Sequence, residues 1–157
     1  MSFRIPLARP CTGPEEIEAA AAVIRSGRLV RGPRVEAFEK AVAEWAGVDH
    51  AVAFSSGTTA LLAALRCLGV GPGDEVVVPA LTFPAPAAAV VWSGAAPVFA
   101  DVDPRNLDVD PADAARRTTK RTRVVIAVDQ FGMPAPAVEL EKIARRRGAL
   151  LLVDAAC

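Results

Sequence analysis

The sequence predicts an α/β fold, a mostly parallel sheet flanked by helices, and three observations predict it. From His50 onward short apolar runs alternate with helical ones, the pattern of repeated βαβ units. Those runs, such as Val76-Val77-Val78 and Leu150-Leu151-Leu152-Val153, suit strands buried on both faces. The length of 157 residues with 52% hydrophobic and 23% charged side chains is that of one core-forming domain.

The elements follow in order. Thr12 with Glu15 three residues on suits a capping box, and Ile17, Ala20, Ala21 and Ile24 recur at helical spacing until Ser26-Gly27. A Gly/Arg-rich loop, Gly27 to Pro33, leads into a second helical pattern, Arg34 to Ala46, with Val35, Phe38, Val42 and Trp45 on one face and Gly47 as its stop. Strands are expected near Ala51–Phe54, Glu75–Pro79, Ala96–Ala100, Val124–Val128 and Ala149–Val153. Helices are expected near Thr58–Leu68, Pro84–Trp92, Pro111–Arg116 and Pro136–Arg147. This organisation divides the chain into a helical segment, residues 1–48, and an α/β part, residues 49–157. The run Ala149 to Val153 reads as a central strand only four residues before Cys157, so the chain is expected to be part of a longer protein.

Composition removes several function classes. Eighteen basic against eighteen acidic residues give no net charge, which excludes the basic field of a dedicated nucleic-acid binder. Val76 to Ala100 carries no charge over a membrane-spanning length, but Pro79, Pro84, Pro86, Pro97 and Gly94 would interrupt a spanning helix. Cys11, Cys67 and Cys157 are odd in number and lack metal-ligand spacing, and residues 1–10 hold no apolar secretory core. No metal site and a reducing cytoplasm are therefore expected.

In open parallel sheets ligands bind beyond the carboxyl ends of the strands, so the residues just after each apolar run carry the information. Ser55-Ser56-Gly57-Thr58-Thr59 opens the helical run Ala60 to Leu65, and such a turn offers backbone N–H groups and hydroxyls to an anion. Plain helix capping is the alternative. The phosphate motifs G-x-x-x-x-G-K-[ST] and G-x-G-x-x-G are absent, as is the hydrolase G-x-S-x-G, and the single histidine, His50, precedes the first expected strand. Phe83, after the second strand, either stacks on a flat heterocycle or packs in the core. Asp154 follows the last apolar run, where a carboxylate is costly to bury without a partner. A pyridinium nitrogen is one such partner; a metal ion or a helix N-cap are the others.

The ordered set Gly57-Thr58-Thr59-Ala60-Leu61, Gly73-Asp74-Glu75-Val76, Pro79 with Thr82-Phe83, Gly94 to Asp101, Gly132-Met133-Pro134-Ala135 and Asp154-Ala155-Ala156 closely resembles the DegT/DnrJ/StrS family of nucleotide-sugar aminotransferases. Gly32-Pro33 followed by Phe38-Glu39 matches as well. The resemblance implies the large domain of the fold type I pyridoxal 5'-phosphate transferases, incomplete at its C-terminus. It implies that Gly57 and Thr58 hold the cofactor phosphate, Phe83 stacks on the ring and Asp154 pairs with the ring nitrogen. Cys157 stands where the family often has Gln or His near the ring hydroxyl, and Asp129 where it often has His. It further implies amino transfer, usually from glutamate, to a keto-sugar on a nucleotide diphosphate, by homodimers. The family's Schiff-base lysine lies downstream of the Asp-Ala-Ala strand, and Lys40, Lys120 and Lys142 read as surface residues, so this stretch by itself is expected to be inactive. Two other outcomes stay open: a non-catalytic binding or regulatory subunit, and a relative of the sugar dehydratases that use a pyridoxamine cofactor.

Overall fold

The computed structural model describes residues 9–156, so Cys157 lies outside the described residues. The described residues form two compact units, divided between Ala53 and Phe54.

The first unit contains α1 (Pro14–Ser26) and α2 (Pro33–Ala46). Each starts with proline in its first turn, where the missing N–H costs nothing, and each ends at a left-handed glycine, Gly27 or Gly47. The cap of α1 sits one residue later than the sequence pattern predicts. Gly13 is the N-cap, and Glu16 rather than Glu15 accepts its N–H at 2.6 Å. A glycine cap has no side chain to read, so the reach of Glu16 defines the start. The expected strand Ala51–Phe54 does not form. Among the described residues no ladder partner lies beside it, and the Ala53 N–H is taken instead by Glu39 Oε1 at 2.9 Å. Arg31 binds the other Glu39 oxygen at 2.6 Å. The Ala53 amide, helped by Arg31, outweighs burial and holds the Glu39 carboxyl below its ordinary range.

The second unit is a three-layer α/β structure. Its elements are α3 (Gly57–Cys67), β1 (Glu75–Pro79), α4 (Ala85–Ser93), β2 (Ala96–Ala100), α5 (Pro111–Arg117), β3 (Thr122–Val128), α6 (Ala137–Arg145) and β4 (Leu150–Asp154). All strand pairs are parallel, in the order β2-β1-β3-β4. β1 and β2 coincide with the runs read from sequence, and the remaining helices and strands match to within a few residues at their ends.

Alternation along the strands builds two cores. Val76, Val78, Val124, Ile126 and Val128 join Leu61 and Leu65 of α3 and Ala89 and Val90 of α4 on one face. Val77, Val125 and Ala127 join Ala114 of α5 and Leu140 and Ala144 of α6 on the other. β1 and β3 are thus covered on both faces, which is why they read as unbroken apolar runs. No helix among the described residues is long and apolar enough to cross a membrane.

Candidate functional site

The strand order creates one reversal. From β1 the chain crosses through α4 to β2 on one side, and from β3 it crosses through α6 to β4 on the other. Between β1 and β3 the crossovers diverge, and the loops leaving their carboxyl ends part to open a crevice. A cavity of about 390 Å³ lies there. Its walls come from the start of α3 (Ser56, Gly57, Thr58), the loop after β1 (Thr82, Phe83), the end of β3 with Gln130, and the end of β4 (Asp154, Ala156). That volume falls in the range of small-molecule and cofactor pockets.

At the start of α3 capping and anion binding coexist. Ser56 Oγ accepts the Thr59 N–H at 3.2 Å, while Thr59 Oγ1 accepts the Ser56 N–H at 3.2 Å and donates to the Ser56 carbonyl at 2.8 Å. The Ser56 and Thr59 side chains are therefore spent on the helix end. The N–H groups of Gly57 and Thr58 and the Thr58 hydroxyl have no partner among the described residues, and all belong to residues lining the cavity. A Cβ built on Gly57 meets no atom within 4 Å, so the space beside this turn is open. Unpaired N–H groups at the positive end of a helix dipole are suited to an oxyanion such as a phosphate.

Phe83 is 70% exposed and lines the cavity, which rules out core packing for its ring. Asp154 is half-buried at the carboxyl end of β4. Its backbone carbonyl accepts the Asp129 N–H at 2.9 Å, and its Oδ1 accepts the Ala156 N–H at 3.2 Å. This leaves carboxylate lone pairs for a donor in the cavity. The structure thus brings Gly57, Thr58, Phe83 and Asp154 together around one volume; Cys157 lies outside the described residues. No lysine lines the cavity: Lys40 pairs with Glu44 at 3.7 Å on α2, and Lys120 and Lys142 lie before β3 and on α6. Among the described residues no cluster of three His, Cys, Asp or Glu could hold a metal ion.

Sequence reasoning missed Gln130. It is only 7% exposed, yet Oε1 has no hydrogen-bond partner, and the residue lines the cavity. A tight turn puts it there. Phe131 and Gly132 both adopt left-handed backbone, φ 53° and 79°, and the Met133 N–H closes on the Gln130 carbonyl at 2.9 Å. Asp129, whose role the sequence leaves blank, braces the same turn by accepting the Ala135 N–H at 2.9 Å. Thr82 Oγ1, at the same cavity, is likewise buried without a partner.

Asp108, in the loop between β2 and α5, is 2% exposed and both its carboxylate oxygens lack hydrogen-bond partners. Burial pushes its carboxyl above the ordinary value; the Gln130 backbone N–H, close by but outside hydrogen-bond geometry, offsets this in part, and the Asp129 charge adds to it. The folded protein therefore keeps this proton to higher pH than the unfolded chain. The contribution to stability is fullest below the unfolded value of about 3.9 and is lost as pH rises through the folded value. Asp108→Asn is expected to raise stability at pH 7 by about 1 kcal/mol and to flatten the loss above pH 4. Urea unfolding at pH 4 and pH 7 checks this, and a less stable variant at pH 7 would contradict it.

A larger cavity, about 580 Å³, belongs to the first unit, between the end of α1 and the start of α2. Its lining is aliphatic and arginine-rich, and it contains none of the unpartnered buried polar atoms found among the described residues.

The family model for the DegT/DnrJ/EryC1/StrS aminotransferase family matches residues 10–157. The chain belongs to that family. It is 41% identical over 155 residues to the dTDP-4-dehydro-2,3,6-trideoxy-D-glucose 4-aminotransferase of Saccharopolyspora spinosa, covering 98% of this chain and 40% of that protein. Among solved structures it is similar to S. venezuelae DesV in complex with a ketimine intermediate, with TM-score 0.82 and 40% identity over 90% of this chain and 40% of that one. It is also similar to NtdA from Bacillus subtilis with bound cofactor PMP, with TM-score 0.85 and 31% identity over 90% of this chain and 34% of that one. The chain spans about two fifths of the length of the curated DegT/DnrJ/EryC1/StrS relatives it matches.

Proposed function

We propose that this chain supplies the phosphate, ring-face and ring-nitrogen contacts of a pyridoxal 5'-phosphate-dependent aminotransferase acting on a nucleotide-linked keto-sugar, with glutamate as donor. The observation that carries the reading is the meeting of unpaired Gly57 and Thr58 amides with the Asp154 carboxylate across one cavity at the sheet's reversal point. The donor set fits the cofactor: N–H groups for a dianion, an exposed aromatic face for a flat ring, and a carboxylate for a pyridinium nitrogen. When bound, pyridoxal 5'-phosphate supplies an electron sink for moving an amino group.

Each residue has a separable part in this reading. The Gly57 and Thr58 amides and the Thr58 hydroxyl anchor the phosphate without a charged side chain. Phe83 covers one face of the ring and excludes water from it. Asp154 accepts a hydrogen bond from the protonated ring nitrogen and holds that proton in place. The amine that moves protons at the substrate carbon is not among the cavity residues, so the reading assigns it to a lysine outside this stretch. By family membership the working protein is taken to be a cytoplasmic homodimer, which light scattering on the full-length gene product tests.

Gly57→Pro gives a specific test of the phosphate contact. Gly57 is the first residue of α3, where proline is tolerated, and Ser56 already has the extended backbone that a following proline requires, φ −161° and ψ 159°. The substitution removes one phosphate-facing N–H and fills the open space beside it. Affinity for pyridoxamine 5'-phosphate is expected to fall about tenfold by isothermal titration, with the melting temperature unchanged. Undiminished affinity would remove α3 from the phosphate site.

A further inference from the structure

The second unit separates its charges between the two edges of the sheet. All four strands run parallel, and α3, α4, α5 and α6 each lead into the amino end of one, so the helix C-termini gather at the edge opposite the cavity. Five exposed cations of this amino edge, Arg66, Lys120, Arg123, Arg146 and Arg147, pair with no carboxylate among the described residues. Arg66 and Arg123 reach only neutral carbonyls, those of Trp92 at 3.1 Å and Leu68 at 3.3 Å. Glu75 at the start of β1 and Glu141 on α6 are already held by Arg121 and Arg145. A helix dipole favours a cation in a last turn, as for Arg66, but Lys120 lies in a turn and Arg123 in β3, where no dipole calls for one. Asp101, Asp103, Asp110 and Asp154 lie at or past the carboxyl ends of β2 and β4, so the neutral total of the chain hides a positive edge and a negative one. Apolar surface adjoins the positive edge. Val91 and Trp92, in the last turn of α4, are 56% and 59% exposed, and the Arg66 bond ties the guanidinium to the Trp92 backbone.

We infer that the amino edge of the sheet is a docking surface for an anionic lipid bilayer, with the unpaired cations on the headgroups and Val91 and Trp92 in the interface. The combination decides the partner. Clustered cations are drawn to the negative surface potential of an anionic leaflet, each adding a similar increment of affinity. An indole ring with an aliphatic neighbour suits the boundary between headgroups and acyl chains. A nucleic acid would leave Val91 unused, and proteins that bind single strands offer several aromatic rings to successive bases, whereas Trp92 is the only aromatic residue at this edge. Docking of this kind requires no spanning helix. It places the cavity on the side away from the bilayer, and repulsion between the surface and the acidic carboxyl edge favours the same orientation. The inference is independent of the cofactor reading.

The test is cosedimentation of the 157-residue chain with phosphatidylcholine vesicles, with and without about one-third phosphatidylserine. The anionic vesicles are expected to bind at least about tenfold more tightly than the neutral ones, and about 0.5 M salt should abolish the difference. Arg146→Gln together with Arg147→Gln removes two exposed charges that stand outside every ion pair among the described residues. Affinity for anionic vesicles is expected to fall about tenfold in this variant, with the melting temperature unchanged. Arg28→Gln together with Arg34→Gln, two exposed cations of the first unit, is the charge-matched control and should bind as the unsubstituted chain does. In a Trp45→Phe background Trp92 is the only tryptophan, and its emission should move to shorter wavelength on anionic vesicles. Equal binding to the two kinds of vesicle, binding to neither, equal losses in the two paired variants, or an unmoved Trp92 emission overturns the proposal. So does a single-stranded RNA that binds in preference to anionic vesicles and loses its affinity in the Arg146, Arg147 variant.

Discussion

Asp154→Asn is expected to weaken pyridoxamine 5'-phosphate binding roughly 10- to 100-fold, the range of a charge-assisted hydrogen bond lost in a cavity. Asparagine keeps the size of the side chain and an oxygen to accept the Ala156 N–H, so the end of β4 retains its local bonding. What disappears is the negative charge facing the ring nitrogen. The loss should therefore be accompanied by deprotonation of the bound ring, read in the ultraviolet spectrum of the bound ligand. Inorganic phosphate, which has no ring nitrogen, should bind both proteins equally. A variant that loses phosphate as well would show that the substitution damages the cavity rather than one contact.

Ile126→Ala is expected to cost the second unit about 3–4 kcal/mol of stability, the largest effect of any single substitution proposed. Ile126 is fully buried at the middle of β3, a central strand paired on both sides. It packs in the cluster that joins α3 and α4 to the sheet. Because α3 carries the Gly57 and Thr58 amides, loosening this cluster should weaken ligand binding in parallel with stability. Urea unfolding with and without pyridoxamine 5'-phosphate measures both. A loss under about 1 kcal/mol would mean that β3 is not the packed centre described here.

Much of this architecture is legible in the residues. Val76 to Val78, and Val124 to Val128, are unbroken because both faces of β1 and β3 are covered, and continuous apolar runs between turn residues announce such strands. Asp154 stands out because an acid directly after an apolar run needs a partner if that run is buried. But β4 ends the sheet among the described residues and leaves Leu150 and Val153 exposed, so it is not the central strand its composition suggests. Phe83 is ambiguous between core and ligand in the sequence, and its exposure removes the core alternative. The failures have equally local causes. Ala51–Phe54 has strand composition, but a strand needs a neighbour, and Glu39 claims the Ala53 amide from fourteen residues away. Gln130 was invisible because glutamine in a loop is usually solvated. Only the left-handed pair Phe131-Gly132 turns it inward, and the sequence signals that pair by nothing more than a glycine two residues on.

The central claim is that the start of α3 receives the phosphate of a pyridoxal-type cofactor. It is tested most directly by titrating pyridoxamine 5'-phosphate into the ¹⁵N-labelled chain and following each backbone amide by nuclear magnetic resonance. The account predicts saturable shifts that are largest and downfield at Gly57 and Thr58, the unpaired N–H groups, with smaller ones at Phe83, Gln130 and Asp154. Saturable shifts centred elsewhere, or Gly57 and Thr58 amides that do not move, would contradict it.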